Sequence, residues 1–199
     1  TKKNCLPSRI TDNTVIELLI RAKKLNKAEI IFNSLGSNLD IVVINTMLRG
    51  YIDNYKLKEA IKLFLDCFKL VNQYPDESMF NCLMSGLMRY KQVELALKTY
   101  FDVKNMYSNN LKMNYIGHSI LMKVFGISKR YDLSKSLFDE CCTNKTVSIA
   151  LCTCFAISCF KSNHIKEIEN IKNAIFYTRI KKDSGFLKVL IDGYMEKNM

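Results

Sequence analysis

The sequence has few of the residues that interrupt regular secondary structure. Among its 199 residues are two Pro, seven Gly and no Trp. Because Gly and Pro mark tight turns, their scarcity argues against a strand-rich fold with many turns. Apolar residues make up 48% of the chain and recur mostly at helical spacing. The composition therefore predicts an all-α fold.

Long hydrophobic runs are also missing. The longest is IALCTCFAISCF, residues 149–160, which is twelve residues long. A membrane-spanning helix needs about 20 apolar residues, so no membrane insertion is expected. The chain begins with TKKNCLPSRI, which contains no apolar segment of the kind found in a signal peptide. It also lacks an initiator Met, which suggests a mature or excised piece.

Residue patterns typical of catalysis are absent too. The two His, 118 and 164, are isolated, and His118 is expected to be packed in the core. There is no phosphate-binding Gly loop, no G-x-S-x-G and no paired-carboxylate motif. We therefore expect neither an enzyme nor a cofactor from this chain, although a following domain could carry catalysis.

The eight Cys leave two interpretations open. Five of them lie between residues 141 and 159, close to His164, which invites a zinc site. They lack the paired C-x-x-C spacing that brings thiolates together on a metal, and they follow no disulfide pattern. Buried thiols in a reducing compartment are the favoured interpretation, and no metal is predicted.

The charge is one-sided. Thirty Lys and Arg face nineteen Asp and Glu, which gives a formal net charge of +11. A basic surface of this size attracts polyanions and makes their binding salt-dependent. An inert basic surface would give the same number, so charge alone does not decide whether nucleic acid binds.

A 20-residue pattern is repeated along the chain. NTMLRGYIDNYKLKEAIKLF (residues 45–64) and NCLMSGLMRYKQVELALKTY (residues 81–100) share Asn first, Gly sixth, Ala sixteenth and an aromatic residue twentieth. Residues 13–32 share the Asn, the Ala and the aromatic residue, residues 119–138 fit with Ser134 in place of the Ala, and residues 153–172 fit loosely. The sixth copy is cut off by the end of the chain. The six first residues are separated by 32, 36, 38, 34 and 35 residues; they are Asn13, Asn45, Asn81, Ser119, Thr153 and Lys188.

This period predicts one array of helical hairpins over residues 1–199. The repeats start near residues 9, 41, 77, 115, 149 and 184, and the last is truncated. One hairpin cannot bury all its apolar surface, so neighbouring hairpins must stack into a continuous core and a superhelix. The expected fold class is an all-α α-solenoid of stacked antiparallel helical hairpins. Small residues such as Gly50, Gly86 and Ala60 are expected where helices approach closely.

The period, the NTMLRGY and LIDGY openings and the LKEAIKLF second helix resemble pentatricopeptide repeats. The resemblance covers the chain from about residue 9 to its end. Tetratricopeptide repeats have a similar period, but their pattern includes Trp and has no place for the recurrent amide. The resemblance implies an organellar protein, of mitochondria or plastids, that binds single-stranded RNA at about one base per repeat.

In that family, the residue that opens the pattern and the residue just before the next repeat read one base together. Carried over, the pairs are Asn13/Asp40, Asn45/Asp76, Asn81/Asn114, Ser119/Ser148 and Thr153/Asp183. The family's reading of these pairs implies the site U-U-C/U-any-G, running 5′ to 3′ with the chain. Helix capping would explain a polar residue near a helix start. We expect capping to explain the in-phase Asp40, Asp76 and Asp183 less well.

The family also uses aliphatic residues that sandwich each base and basic residues that contact the backbone. Ile10, Val42 and Ile116 match the stacking positions, whereas Ser78, Ala150 and Gly185 are too small. Arg21, Arg89 and Lys161 match the phosphate positions, whereas Asp53, Ile127 and Glu196 do not. This patchiness keeps an alternative open, in which the chain is a structural subunit of an organellar ribonucleoprotein, such as a ribosome, and binds protein or rRNA without reading bases.

Overall fold

The computed structural model describes residues 9–107, 113–178 and 183–197, without the side chains of residues 9–11, 37 and 178. All the regular structure in these ranges is helical, which confirms the predicted all-α fold. Six helices are the first members of hairpins: α1 (Arg9–Arg21), α3 (Ile41–Asp53), α5 (Glu77–Arg89), α7 (Tyr115–Ile127), α9 (Ile149–Lys161) and α11 (Ser184–Glu196). Five are second members: α2 (Leu25–Ser34), α4 (Leu57–Val71), α6 (Val93–Tyr107), α8 (Tyr131–Thr143) and α10 (Glu167–Thr178).

The first helices share one length and one register. Each of the six is 13 residues long, and each begins at a predicted repeat start. The chain divides into two compact units. Residues 1–90 and 101–112 form unit 1, and residues 91–100 and 113–199 form unit 2, so α6 contributes to both.

Unit 1 is built from hairpins whose first helices lie side by side. The α1 helix packs on α2 and α3, and α3 packs on α4 and α5. One apolar stripe of α3 lies in the core, since Ile44, Met47, Leu48 and Ile52 are fully buried. The small Ala28 and Ala60 of the second helices are also fully buried.

Unit 2 repeats this arrangement. The α7 helix packs on α8 and α9, and α9 packs on α10 and α11. In the second helix α8, Ser134 replaces the buried Ala of other repeats. Its hydroxyl accepts a hydrogen bond from Ser158 Oγ on α9 at 3.1 Å. A buried polar pair therefore satisfies itself where other repeats use Ala.

The turn after a first helix has one recurrent conformation. The second residue past the helix has a positive φ in five repeats, and these residues are Lys23, Tyr55, Lys91, Lys129 and Asn163. The following N–H donates to a carbonyl five residues earlier, for example Lys56 N to Tyr51 O at 2.8 Å. This is a Schellman ending without glycine.

Glycines on first helices lie against the preceding first helix, as predicted. A Cβ on Gly50 would lie 2.6 Å from Ile20 Cδ1, and one on Gly86 would lie 2.5 Å from Ile52 Cγ2. Helices α1 and α3, and likewise α3 and α5, approach so closely that no side chain fits at these two positions.

The cysteines of the described residues are free thiols. Cys67, Cys141, Cys152 and Cys159 are buried, as the packing interpretation predicted. Burial raises the pKa of the Cys152 thiol to about 12, so it stays protonated at neutral pH. In the part of the chain that the structure describes, His, Cys, Asp and Glu form no group that could hold a metal ion.

No helix of the described residues is both long and apolar enough to cross a bilayer.

Candidate nucleic-acid interface

The predicted first base-reading residues occupy one structural position. Each is the fifth residue of a 13-residue first helix. In unit 1 these residues are Asn13, Asn45 and Asn81. In unit 2 they are Ser119 and Thr153. Since α1, α3 and α5 pack side by side, and so do α7 and α9, each unit presents these residues on adjacent helices.

The Asn side chains have an unusual environment. The Oδ1 atoms of Asn13 and Asn45 are buried and accept no hydrogen bond. The Oδ1 atom of Asn81 is buried at the equivalent position of α5. A buried acceptor without a donor costs about 1–3 kcal/mol, so most proteins satisfy such groups. The same cost at the same position of α1 and α3 indicates a requirement other than stability.

The hydroxyl residues of unit 2 behave differently. Ser119 Oγ donates to Tyr115 O at 2.8 Å, and Thr153 Oγ1 donates to Ile149 O at 2.7 Å. Each hydroxyl has one hydrogen, which the helix backbone takes. These two hydroxyls can therefore accept a hydrogen bond from a ligand, but they have no hydrogen left to donate.

The second predicted base-reading residues are helix N-caps. Asp40 accepts from Val43 N at 2.8 Å, and Asp76 accepts from Met79 N at 2.8 Å. Asp183 accepts from Phe186 N at 2.7 Å. The expectation that capping explains these Asp less well is therefore wrong, because each of the three begins a helix. The signal was available, since an Asp before an apolar periodic segment is a typical N-cap.

Asn114 and Ser148 are also N-caps. Asn114 Oδ1 accepts from Ile116 N and Gly117 N, each at 3.1 Å, and Ser148 Oγ accepts from Leu151 N at 3.2 Å. Capping does not exclude a second role for a carboxylate, because its two oxygens offer about four acceptor sites. In Asp40 and Asp76 the cap bond uses Oδ1.

The pairs differ in whether their members share a unit. Asn13 and Asp40 lie in unit 1, as do Asn45 and Asp76. Unit 2 contains both members of the Ser119/Ser148 and Thr153/Asp183 pairs. In the third pair, Asn81 lies in unit 1 and Asn114 lies in unit 2.

The predicted stacking residues are apolar and exposed where the structure describes them. Val42 is 56% exposed and Ile116 is 43% exposed. The side chain of Ile10 lies outside the described residues. Ser78, Ala150 and Gly185, which occupy the same position in other repeats, are exposed but small. An exposed aliphatic residue can pack on the face of a base, and a small one offers less contact area.

Two of the predicted phosphate-binding residues are already paired with carboxylates. Arg21 donates to Glu17 at 2.6 Å within α1. Arg89 donates to Asp53 at 3.2 Å and lies 5.6 Å from the centre of the Tyr90 ring. Exposed ion pairs of this kind are worth about 0.2–1 kcal/mol, so a phosphate can displace them.

Lys161, the third predicted phosphate-binding residue, is exposed in the last turn of α9. A cation there is favoured by the negative end of the helix dipole.

The residue-by-residue prediction missed two cations next to the fifth position. Arg49 and Lys123 are exposed and lie one helical turn after Asn45 and Ser119. Burial raises the pKa of the Cys82 thiol, and the Arg49 guanidinium beside it opposes that shift. Residues four apart share a helix face, so the spacing alone could have identified both cations.

The fold and sequence comparisons agree with each other. The family model described as PPR repeat matches residues 42–69 and 78–107. A chloroplastic pentatricopeptide repeat-containing protein of Arabidopsis thaliana is 22% identical over 75% of this chain and 19% of its own length. A second one from the same plant is 20% identical over 86% of this chain and 20% of its own length. The chain thus spans about a fifth of these relatives.

The structure of the maize pentatricopeptide repeat protein PPR10 has the same fold. It superposes with a TM-score of 0.71 at 16% identity, covering 96% of this chain and 28% of that one. PPR10 in complex with an 18-nt psaJ RNA element superposes with a TM-score of 0.60 at 17% identity over the same shares. Residues 42–69 and 78–107 therefore match pentatricopeptide repeats, and the chain as a whole resembles pentatricopeptide repeat proteins in sequence and shares their fold.

Proposed function

We propose that this chain binds single-stranded RNA and reads about one base per repeat, without catalysis. The first-helix positions of the two units would contact the bases, and neighbouring basic residues would contact phosphates. RNA as the ligand is supported by a similar structure, in which PPR10 is in complex with an RNA element.

One observation carries the proposal. The buried Oδ1 atoms of Asn13 and Asn45 accept no hydrogen bond, although they recur at the fifth position of two adjacent helices. A ligand that supplies a donor would remove this cost on binding, once rotation of the amide group about χ2 turns the oxygen toward the ligand. An analogue that offers an acceptor instead would leave the oxygen unsatisfied and would be rejected.

Uracil has the matching edge. Its N3–H is a donor, whereas N3 of cytosine is an acceptor, so an Asn oxygen distinguishes the two bases at that atom. This chemistry agrees with the uracil that the family resemblance implies for Asn13/Asp40 and Asn45/Asp76. The proposed site is U-U-C/U-any-G, with the C/U position assigned to Asn81/Asn114 and G to Thr153/Asp183. At Thr153 the hydroxyl keeps only acceptor capacity, which suits the N1–H and N2–H₂ donors of guanine.

An organellar location is part of the proposal. Two of the similar Arabidopsis proteins are named chloroplastic. This supports an organelle, and a plastid or a mitochondrion would fit equally. Within it, the chain would mask or present a single-stranded stretch for RNA processing, stability or translation.

A structural role in a larger organellar ribonucleoprotein is the second candidate. Small residues occupy half of the stacking positions, namely Ser78, Ala150 and Gly185, and Lys188 stands at the fifth position of α11. These four positions would give weak base contacts. In this alternative the chain binds protein or rRNA, and the fifth residues matter little.

Fluorescence anisotropy tests the proposal. The labelled RNA carries UUCAG, and it is compared with a scrambled RNA and with DNA of the same sequence at two salt concentrations. The variant is Asn45→Ala/Asn81→Ala. A matched control is Asn33→Ala/Asn105→Ala, which removes two exposed amides from second helices.

The wild type should prefer the intended RNA at both salt concentrations. The Asn45→Ala/Asn81→Ala variant should lose about tenfold of that preference per position, since about 1.4 kcal/mol corresponds to tenfold in affinity. The single substitution Asn45→Ala should not lower the thermal midpoint, because it removes an unsatisfied oxygen from the free protein. Equal, steeply salt-dependent binding to all three nucleic acids would refute base reading.

A further inference from the structure

A second basic site lies at the turn edge of unit 1, away from the fifth positions. A cleft of about 430 Å³ is formed by the α1–α2 turn and the α3–α4 turn. Its lining residues are Lys23, Lys24, Leu25, Asn26, Lys27, Asn54 and Lys56. Four of these seven are Lys and none is acidic, so the cleft concentrates positive charge in a concave surface.

The carboxylates near the cleft do not balance this charge. Lys56 Nζ contacts Glu29 Oε1 at 3.0 Å, an ion pair between partly buried side chains. Lys23, Lys24 and Lys27 are exposed. Lys23, Lys24 and Lys27 line the same cleft as Lys56, and like charges around one small space repel each other. An anion in the cleft would relieve that repulsion.

The backbone adds to the positive potential. Helix α2 starts at the cleft, and its N-cap, Lys24, makes no side-chain cap hydrogen bond. The first N–H groups of a helix have no intrahelical carbonyl, and the helix dipole is positive there. A cation at an N-cap is unfavourable for the free protein, and an anion bound beside Lys24 would offset that cost.

Unit 2 provides an internal comparison. The equivalent α9–α10 turn also lines a cleft, together with Tyr194 of α11. That cleft contains Lys166 but also Glu167 and Glu169. The turn cleft of unit 2 is thus lined by charges of both signs, whereas that of unit 1 is lined by positive charges alone. The repeat geometry therefore does not by itself produce a basic cleft.

We infer that the Lys23, Lys24, Lys27 and Lys56 cleft binds a phosphate group of an RNA strand that runs along the turn edge. The fifth residue of α1, Asn13, precedes the end of that helix by eight residues, which is about 12 Å at 1.5 Å per residue. The cleft lies beyond that end of α1. The phosphate that it binds is therefore not one of those next to the bases that Asn13 and Asn45 would read. The inference rests on the proposed RNA binding, but it does not depend on base reading.

The test compares two charge-matched pairs of substitutions. Lys24→Gln/Lys27→Gln removes two charges from the cleft. Lys58→Gln/Lys62→Gln removes two from the exposed face of α4, outside the cleft. Poly(U) affinity is measured over a range of salt concentrations. Each phosphate contact with a single strand contributes about 0.7 to the slope of log affinity against log salt.

The cleft variant should lose about 0.7–1.4 of that slope, and the α4 variant should keep the wild-type slope within experimental error. Equal losses in both pairs, or no loss in either, would overturn the inference. If the cleft variant keeps its slope while Asn45→Ala/Asn81→Ala loses base preference, the cleft fails and base reading stands.

A second measurement decides the matter if poly(U) does not bind. Pyrophosphate is titrated into the wild type and the cleft variant, and the amide NMR signals of Leu25 and Asn26 are followed. Shifts that occur only in the wild type support the cleft, and their absence refutes it. Where RNA does bind, a strand with a 5′-phosphate is compared with one with a 5′-hydroxyl. Equal affinities would assign the site to backbone phosphodiesters, and tighter binding of the 5′-phosphate strand would overturn that assignment.

Discussion

Replacing Gly86 with Ala should destabilise unit 1, although Ala is the better helix former. Gly86 lies on α5 against Ile52 of α3, which is fully buried. The new Cβ would be 2.5 Å from Ile52 Cγ2 and 3.2 Å from both Cγ1 and Cδ1. Because Cγ2 is bonded directly to the Ile Cβ, rotation about χ2 cannot move it away. Either the side chain leaves its rotamer or the two helices separate.

Gly126→Ala is the matched control. Gly126 is also a buried glycine inside a first helix, but a Cβ there would meet Ser158 Cβ at 3.5 Å, an ordinary contact. Ala gains about 1 kcal/mol over Gly in a helix interior at both positions. Overpacking costs about 1–3 kcal/mol at Gly86 only. Gly126→Ala should thus stabilise by about 1 kcal/mol, and Gly86→Ala should be about 1–3 kcal/mol worse than that.

Urea unfolding followed by far-UV circular dichroism measures both effects. Each variant is compared with the wild type, since repeat proteins need not unfold in one step. A second substitution, Ile52→Leu, removes the branched methyl while keeping side-chain volume. It should recover part of the loss in Gly86→Ala, with a coupling of at least about 0.5 kcal/mol. The reasoning fails if Gly86→Ala stabilises as much as Gly126→Ala, or if the two substitutions in the cycle are additive.

Three further predictions concern charge, pH and turns. Asp53→Asn should tighten RNA binding a few-fold by releasing Arg89, as measured by anisotropy at low salt; unchanged affinity would mean that Arg89 does not contact RNA. Burial lowers the pKa of His118, so the unfolded chain takes up the proton first as pH falls below about 6.5 and stability drops. His118→Phe should remove that loss, and urea midpoints at pH 5 and 7 that shift alike in both proteins would contradict it. Lys129 has φ +56°, so Lys129→Gly should stabilise by about 1 kcal/mol in the same urea assay; a loss would show that its side chain contributes more than the strain costs.

Much of the fold could be predicted because it depends on local signals. The apolar stripe of α3 and the starts of the first helices follow from residues within one or two turns of each other. The predicted start at residue 41 is the first residue of α3, directly after the N-cap Asp40. The role of Asp40 as that cap was underestimated, although it too is local.

The positions of the candidate site residues could be predicted from the sequence, but their hydrogen-bond and ion-pair partners could not. The in-phase Asn13 and Asn45 were identified from the period. The absence of a donor to their oxygens depends on everything that packs around α1 and α3, which no local pattern records. Arg89 was expected to be available for phosphate, yet Asp53, 36 residues earlier, is its partner.

The sequence by itself determined the period, the helical hairpin and the residue at each register position, because helix propensity, capping and amphipathic spacing act over a few residues. Tertiary structure alone decided what meets across repeats. It places Ile52 against Gly86, pairs Asp53 with Arg89 and gathers Lys56 with Lys24 around one cleft. These contacts join residues about one repeat apart, so they form only when one hairpin packs on the next.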